Sequence, residues 1–87
     1  MIRVSIPSQL IAYTGGATRA EAEGATVGEV LDDLDRRFPG LKFRVVDEQD
    51  RVRRHVRLFV GQEETRDVRR PLGSGDELLI FGALSGG

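Results

Sequence analysis

The stretch TVGEVLDDLDRRFPG, residues 26–40, decides the fold. Thr26 followed three residues later by Glu29 is a capping-box pair, in which two side chains satisfy backbone N–H groups at the start of a helix. Val27, Val30, Leu31, Leu34 and Phe38 then fall at i, i+3, i+4, i+7 and i+11, one apolar stripe along a helix. Asp32, Asp33, Asp35, Arg36 and Arg37 take the other side and are expected to face water. Pro39-Gly40 stops the helix, because proline cannot continue the hydrogen-bond ladder and glycine accepts the turn that follows.

On the N-terminal side, Ile2, Val4 and Ile6 alternate with Arg3 and Ser5, the pattern of a half-buried strand that Pro7 ends. Leu10 and Ile11 lie in a connecting segment, and Thr14-Gly15-Gly16 is a turn. Residues 17–23 (ATRAEAE) alternate small with polar residues and fit a second strand paired to the first, closed by Gly24. On the C-terminal side, residues 41–46 fit either a helical turn or a short strand, and residues 47–54 (DEQDRVRR) read as a charged loop holding Val52. Val56, Leu58 and Val60 alternate with Arg57 and Phe59 in a further strand, which Gly61-Gln62 turns. Val68 and Leu72 anchor an irregular crossing. Gly73-Ser74-Gly75-Asp76 is a turn, and residues 77–81 (ELLIF) form the last strand. Residues 82–87 (GALSGG) read as irregular, with a folded domain over residues 1–82 and a flexible tail over residues 83–87.

Composition narrows the chemistry. At 87 residues there is room for one core. Hydrophobic residues make up 39% and charged residues 31%, as in soluble globular chains. A formal net charge of −1 gives no electrostatic reason to expect nucleic acid or an anionic membrane. No apolar run approaches the roughly 18 residues of a membrane span, and the N-terminus has no signal-peptide stretch, so the cytoplasm is the expected compartment. The absence of cysteine excludes disulfides, thiolate metal sites and thiol nucleophiles. One histidine, His55, is too few for a metal site or a Ser-His-Asp arrangement and reads as a strand or loop residue. Lys42 is the only lysine beside twelve arginines, so few amines are open to acylation. Arg51, Arg53, Arg54 and Arg57 read as a solvated face, with contact to an acidic partner as the alternative. The paired acids Asp32-Asp33 and Glu63-Glu64 read as solvated.

The element order is strand, strand, helix, strand, strand, and the crossover through the helix suits a mixed sheet whose first and later strands run parallel. With Gly75-Asp76-Glu77-Leu78, Phe81 and the terminal Gly86-Gly87, that order resembles the bacterial sulfur carriers related to ubiquitin. These include the molybdopterin synthase small subunit, the thiamine sulfur carrier and the cysteine-biosynthesis carrier. Ser5-Ile6-Pro7, Thr14-Gly15-Gly16 and Pro39-Gly40 look most like the cysteine-biosynthesis type. The resemblance implies an α+β fold of the β-grasp (ubiquitin-like) kind: a mixed four- to five-stranded sheet, one main helix across one face, and a flexible C-terminal Gly-Gly tail. Two departures stand out. Many relatives carry proline just before the tail, where this chain has Gly82-Ala83, and many have asparagine in the turn held here by Gly61-Gln62.

What the resemblance implies about function is specific. The chain is a protein co-substrate and not an enzyme. A ubiquitin-activating-like adenylyltransferase uses ATP to adenylate the Gly87 carboxylate. A sulfur donor then converts it to a thiocarboxylate, and a sulfur-accepting synthase receives the sulfur, with a metalloprotease as a further partner in the cysteine pathway. This chain has no G-x-x-x-x-G-K-[ST] loop, so the ATP site lies on the partner and no cofactor or metal is expected here. Gly86, Ser85 and Leu84 would thread the partner's channel, since glycine lacks a Cβ and fits where other residues do not. Period-2 alternation puts Phe59, Leu79 and Phe81 opposite Leu58 and Ile80, so Phe59 and Phe81 are candidate docking residues beside the tail. The alternatives are a carrier for molybdopterin, thiamine or a secondary metabolite, or a ubiquitin-like modifier conjugated to lysines.

Overall fold

In the computed structural model, which describes residues 1–82, Thr26 caps helix α1 (Val27–Arg37) as its sequence predicts: Thr26 Oγ1 accepts from the Glu29 N–H at 3.2 Å. The reciprocal bond is displaced by one residue, because Glu29 Oε1 accepts from the Ala25 N–H at 2.9 Å rather than from that of Thr26. Val27, Val30, Leu31 and Leu34 are fully buried, and Phe38 packs half-buried against the same core as the C-cap residue. Asp33 departs from the expected solvent-facing set. Its side chain is only 13% exposed, since it accepts from the Glu23 N–H at 2.9 Å and from Arg36 Nη2 at 2.9 Å. Asp35 is also half-buried, and its Oδ1 accepts from the Gly40 and Lys42 N–H groups, both at 3.1 Å. That carboxylate ties the end of α1 to the start of a second helix, α2 (Leu41–Val45), and resolves the ambiguous stretch as helix.

Beneath the helices lies one sheet of five strands: β1 (Ile2–Ser5), β2 (Arg19–Ala22), β3 (Val56–Val60), β4 (Glu63–Thr65) and β5 (Glu77–Gly82), in the order β2-β1-β5-β3-β4. β1 and β5 pair in parallel, and every other pairing is antiparallel. Alternation assigns the faces. Ile2, Val4, Val56, Leu58, Leu78 and Ile80 point at α1 and are at most 3% exposed. Leu58 stands opposite Ile80 in the β3–β5 register, so the middle of the core is built from cross-strand neighbours.

Local chemistry closes the fold at several places. After Pro7 the chain winds into a 3₁₀ segment, Ser8–Thr14, which buries Leu10; the sequence read this stretch only as a connection. Gly24 passes so close to α1 that a Cβ there would come within 2.6 Å of the Val30 nitrogen, and only glycine fits. Val52, in the charged loop, is buried and bridges to Val46, while the Asp47 carboxylate accepts from the Gln49 and Arg51 N–H groups to hold the turn. Arg66 donates to the carbonyls of Val52, Arg53 and Val56 and fastens the chain after β4 to the entry of β3. Val68 and Leu72 pack half-buried against the core and carry the crossing into β5. Gly75 adopts φ 92°, a left-handed value that suits glycine, and Asp76 accepts from the Gly73 N–H at 2.8 Å to complete the turn.

β5 runs one residue further than the sequence implies. Gly82, read as irregular, is the last residue of the strand and stands opposite Val56.

Candidate functional site

The outward face of the sheet can be built from the register alone. Arg19 stands opposite Ser5, Ser5 opposite Leu79, Leu79 opposite Phe59 and Phe59 opposite Glu64, one row across all five strands. One step along, Arg57 faces Phe81. The face therefore has an apolar centre of Leu79, Phe59 and Phe81 on β5 and β3, with charged residues toward both edges of the sheet.

Phe59 and Phe81, the two candidate docking residues, are brought together. Their ring centroids lie 5.5 Å apart at an interplanar angle of 84°, an edge-to-face contact across diagonal cross-strand positions. Phe81 remains 47% exposed, whereas Phe59 is half-buried beneath its neighbours. Arg57 completes the cluster. Its guanidinium sits 5.7 Å from the Phe59 ring centroid and makes a two-pronged bond to Glu64, Nε to Oε2 at 3.0 Å and Nη2 to Oε1 at 2.7 Å. The bond from Arg57 holds the Glu64 carboxyl below its ordinary value, and Glu64 in turn raises Arg57. The pair thus keeps a fixed dipole at the edge of the aromatic patch. Glu63 and Glu64 are both exposed, as read, and each also pairs with an arginine on the surface, Glu63 with Arg70 (2.5 Å) and Glu64 with Arg57.

The basic run is mostly engaged within the fold. Arg51 pairs with Asp47 at 3.7 Å, and Arg53 donates to the Phe43 carbonyl at 2.7 Å while lying 5.0 Å from that ring. This matches a solvated face better than a free basic patch. His55 is exposed at the entrance to β3. Among the described residues, a cleft of about 680 Å³ lies on the β1–β2 side between Arg3, Arg19, Glu21, Arg37 and Glu77, away from the aromatic patch. Among those residues, no three His, Cys, Asp or Glu side chains gather as a metal site, and no helix is long and apolar enough to cross a membrane.

At the end of β5 lies one contact that sequence reasoning missed: Gln9 Nε2 donates to the Gly82 carbonyl at 2.8 Å. Leu84, Ser85, Gly86 and Gly87, the expected tail and reactive terminus, lie outside the described residues.

The chain matches the model of the ThiS family over residues 4–87. It is 32% identical to the sulfur carrier protein CysO of Mycobacterium tuberculosis, with 99% of this chain and 98% of that protein covered. Among solved structures, it resembles a chain of the Amycolatopsis orientalis BexX/CysO complex, with a TM-score of 0.92, 38% identity and full coverage of both chains. It also resembles Mycobacterium tuberculosis CysO, with a TM-score of 0.90, 30% identity, and 97% and 100% covered. Small archaeal modifier protein 1 of Haloferax volcanii follows at a TM-score of 0.77 and 28% identity, with 99% and 98% covered.

Proposed function

The chain belongs to the ThiS family of ubiquitin-like sulfur carriers, small protein substrates and not enzymes, and from that premise we propose that the Gly87 carboxylate is the group that carries sulfur. The observation that supports this most is the extent of the family match, which runs through residue 87 and so includes Gly86-Gly87.

Two steps account for the chemistry. A Gly87 carboxylate oxygen attacks the α-phosphate of ATP on a partner adenylyltransferase, pyrophosphate leaves, and an acyl-adenylate forms. A sulfur nucleophile then attacks the acyl carbon and AMP leaves, giving a thiocarboxylate. The thiocarboxylate sulfur is a softer nucleophile than a carboxylate oxygen and passes to an electrophile held by an accepting synthase. β5 ends at Gly82, and a fully extended segment of five residues beyond it would span about 17 Å at ~3.3 Å each. Gly86, Ser85 and Leu84 thread the partner's channel. The Phe59–Leu79–Phe81 patch, shared between β3 and the strand that leads to the tail, is the surface on which the partner docks. Arg57 and Glu64 set the polar edge of that surface.

The proposed acceptor pathway is cysteine biosynthesis, in which sulfur adds to an aminoacrylate on a pyridoxal-phosphate synthase and a metalloprotease releases the product. Ser5-Ile6-Pro7, Thr14-Gly15-Gly16 and the likeness to CysO support it. Deleting Gly87 tests the carrier reading. The truncated chain is expected to keep its melting temperature and lose all stimulation of pyrophosphate release from ATP by the adenylyltransferase; undiminished pyrophosphate release would refute the assignment. The likeness to small archaeal modifier protein 1 supports a second reading, conjugation to lysines, for which tail-dependent isopeptide ladders in lysate are the discriminating sign.

A further inference from the structure

Gln9 follows β1 in the chain yet lies beside the last residue of β5. The topology brings this about. β1 and β5 run parallel with Ser5 opposite Leu79, so both strands deliver the chain to the same end of the sheet. There Gln9 Nε2 donates to the Gly82 carbonyl at 2.8 Å, across 73 positions of sequence. A carbonyl only accepts, so the amide nitrogen must face it, and the Ser8 hydroxyl lies 3.4 Å from Gln9 Oε1 on the other side. The contact is close: a Cβ at residue 82 would come within 3.2 Å of Gln9 Cδ and Oε1. Gln9 is exposed and adds nothing to the hydrophobic core.

We propose that Gln9 is a positioning residue for sulfur transfer: its side-chain amide holds the Gly82 peptide plane and so sets the direction in which residues 83–87 leave the sheet. This rests on the carrier reading of the terminus. The Gly82 carbonyl and the Ala83 N–H belong to one planar peptide unit, so a bond to that oxygen orients the first link beyond β5. Gly82 itself restrains that plane weakly, because it lacks a Cβ. A terminus that must enter a partner's site gains from a fixed starting direction, since fewer conformers are lost on entry. The role concerns binding of the tail rather than the chemical step at Gly87, so it is expected in KM and not in kcat.

The test compares the full chain with Q9A and Q9E. Glutamate has the shape of glutamine, but its carboxylate only accepts hydrogen bonds, so Q9E keeps the packing and removes the donor. Amide relaxation at Ala83 reads the plane directly and requires no sulfur chemistry. The order parameter there is expected to fall in both variants, with melting temperature unchanged. With the adenylyltransferase, KM for either variant is expected to rise roughly 3- to 10-fold, the worth of one neutral hydrogen bond, with kcat unaltered. An Ala83 order parameter equal in all three proteins, a Q9E variant that behaves like the parent, or a fall in kcat at constant KM would each overturn the proposal. If the parent chain is not adenylated at all, the carrier reading fails, while the relaxation comparison still decides whether Gln9 holds Gly82.

Discussion

Phe81→Ala is the substitution that separates a docking surface from a structural one. Phe81 is 47% exposed on the outer face of the sheet, and its one aromatic neighbour is Phe59, edge-to-face at 5.5 Å. A phenylalanine side chain buries about 200 Å² when fully covered, so the exposed share leaves roughly 95 Å² for a partner to bury. At ~25 cal/mol per Å² that area is worth about 2 kcal/mol, or roughly 30-fold in Kd. Losing the aromatic pair costs the isolated fold about 1 kcal/mol, equivalent to a fall of about 4–8 °C in Tm, which leaves it folded. Affinity for the adenylyltransferase can be read by titration calorimetry with the nucleotide site empty, so that docking alone is measured. Phe43→Ala is the control. Phe43 is 50% exposed, slightly more than Phe81, but it lies on α2, on the helix side of the sheet, with Arg53 over its ring. The expected outcome is a roughly 30-fold loss for Phe81→Ala and no appreciable change for Phe43→Ala. Equal losses at both positions, or no loss at Phe81, would refute the assignment of the outer face as the docking surface.

Gly24→Ala is expected to destabilise without touching the docking face. A Cβ there would lie 2.6 Å from a backbone nitrogen of α1, an overpacking that costs about 2 kcal/mol and lowers Tm by about 8–16 °C; an unchanged Tm would contradict the close approach. Asp33 gives a pH dependence. The Glu23 N–H, then Arg36, hold its carboxyl below the ordinary value of 3.8, so its stabilisation is present above that pH and is lost as pH falls through the lowered value. Urea midpoints of D33N and the parent should therefore differ at neutral pH and converge in acid, and a constant gap would count against the linkage. Lys42, the only lysine, is held charged by Asp32 at 2.5 Å and Asp50 at 3.4 Å, and its pKa is raised chiefly by the bond to Asp32. Acetylation of Lys42 by an N-hydroxysuccinimide ester, normalised to the Met1 amine, is expected to be faster in D32N/D50N than in the parent, because a smaller pKa leaves more free amine. No acceleration would mean that the two carboxylates do not govern its reactivity.

The principal helix was readable because five apolar residues share one stripe and a capping pair marks its start; all five pack into the core, and only the Glu29 half of the cap is displaced, onto Ala25. β3 and β5 were readable by alternation, which also separated Leu58 and Ile80 from Phe59 and Phe81. β4 left no pattern, because Glu63, Glu64 and Thr65 carry no apolar face; their pairing depends on a neighbouring strand and on partners such as Arg57. The 3₁₀ segment was missed because its turns follow from Pro7 and from burial of Leu10, not from any periodicity. Asp33 looked like a solvated acid because its partner, the Glu23 N–H, is a backbone group from another element. Gln9 could not be found from sequence at all, since its contact spans 73 positions and involves a carbonyl that every residue possesses. Side-chain periodicity reports burial, and burial is what the sequence made plain. Hydrogen bonds between distant backbone and side-chain groups need the topology first.

The central claim is that Gly87 carries the sulfur, and mass analysis of its C-terminal peptide tests it most directly. The chain is incubated with the adenylyltransferase, ATP and sulfide, alkylated, cleaved, and the peptide ending at Gly87 is fragmented. The account predicts exchange of one oxygen for sulfur at the terminal carboxylate, trapped as an S-alkyl thioester on Gly87 and dependent on ATP. An unaltered terminal carboxylate in the presence of every reactant, or a mass change confined to oxidised Met1, would contradict it.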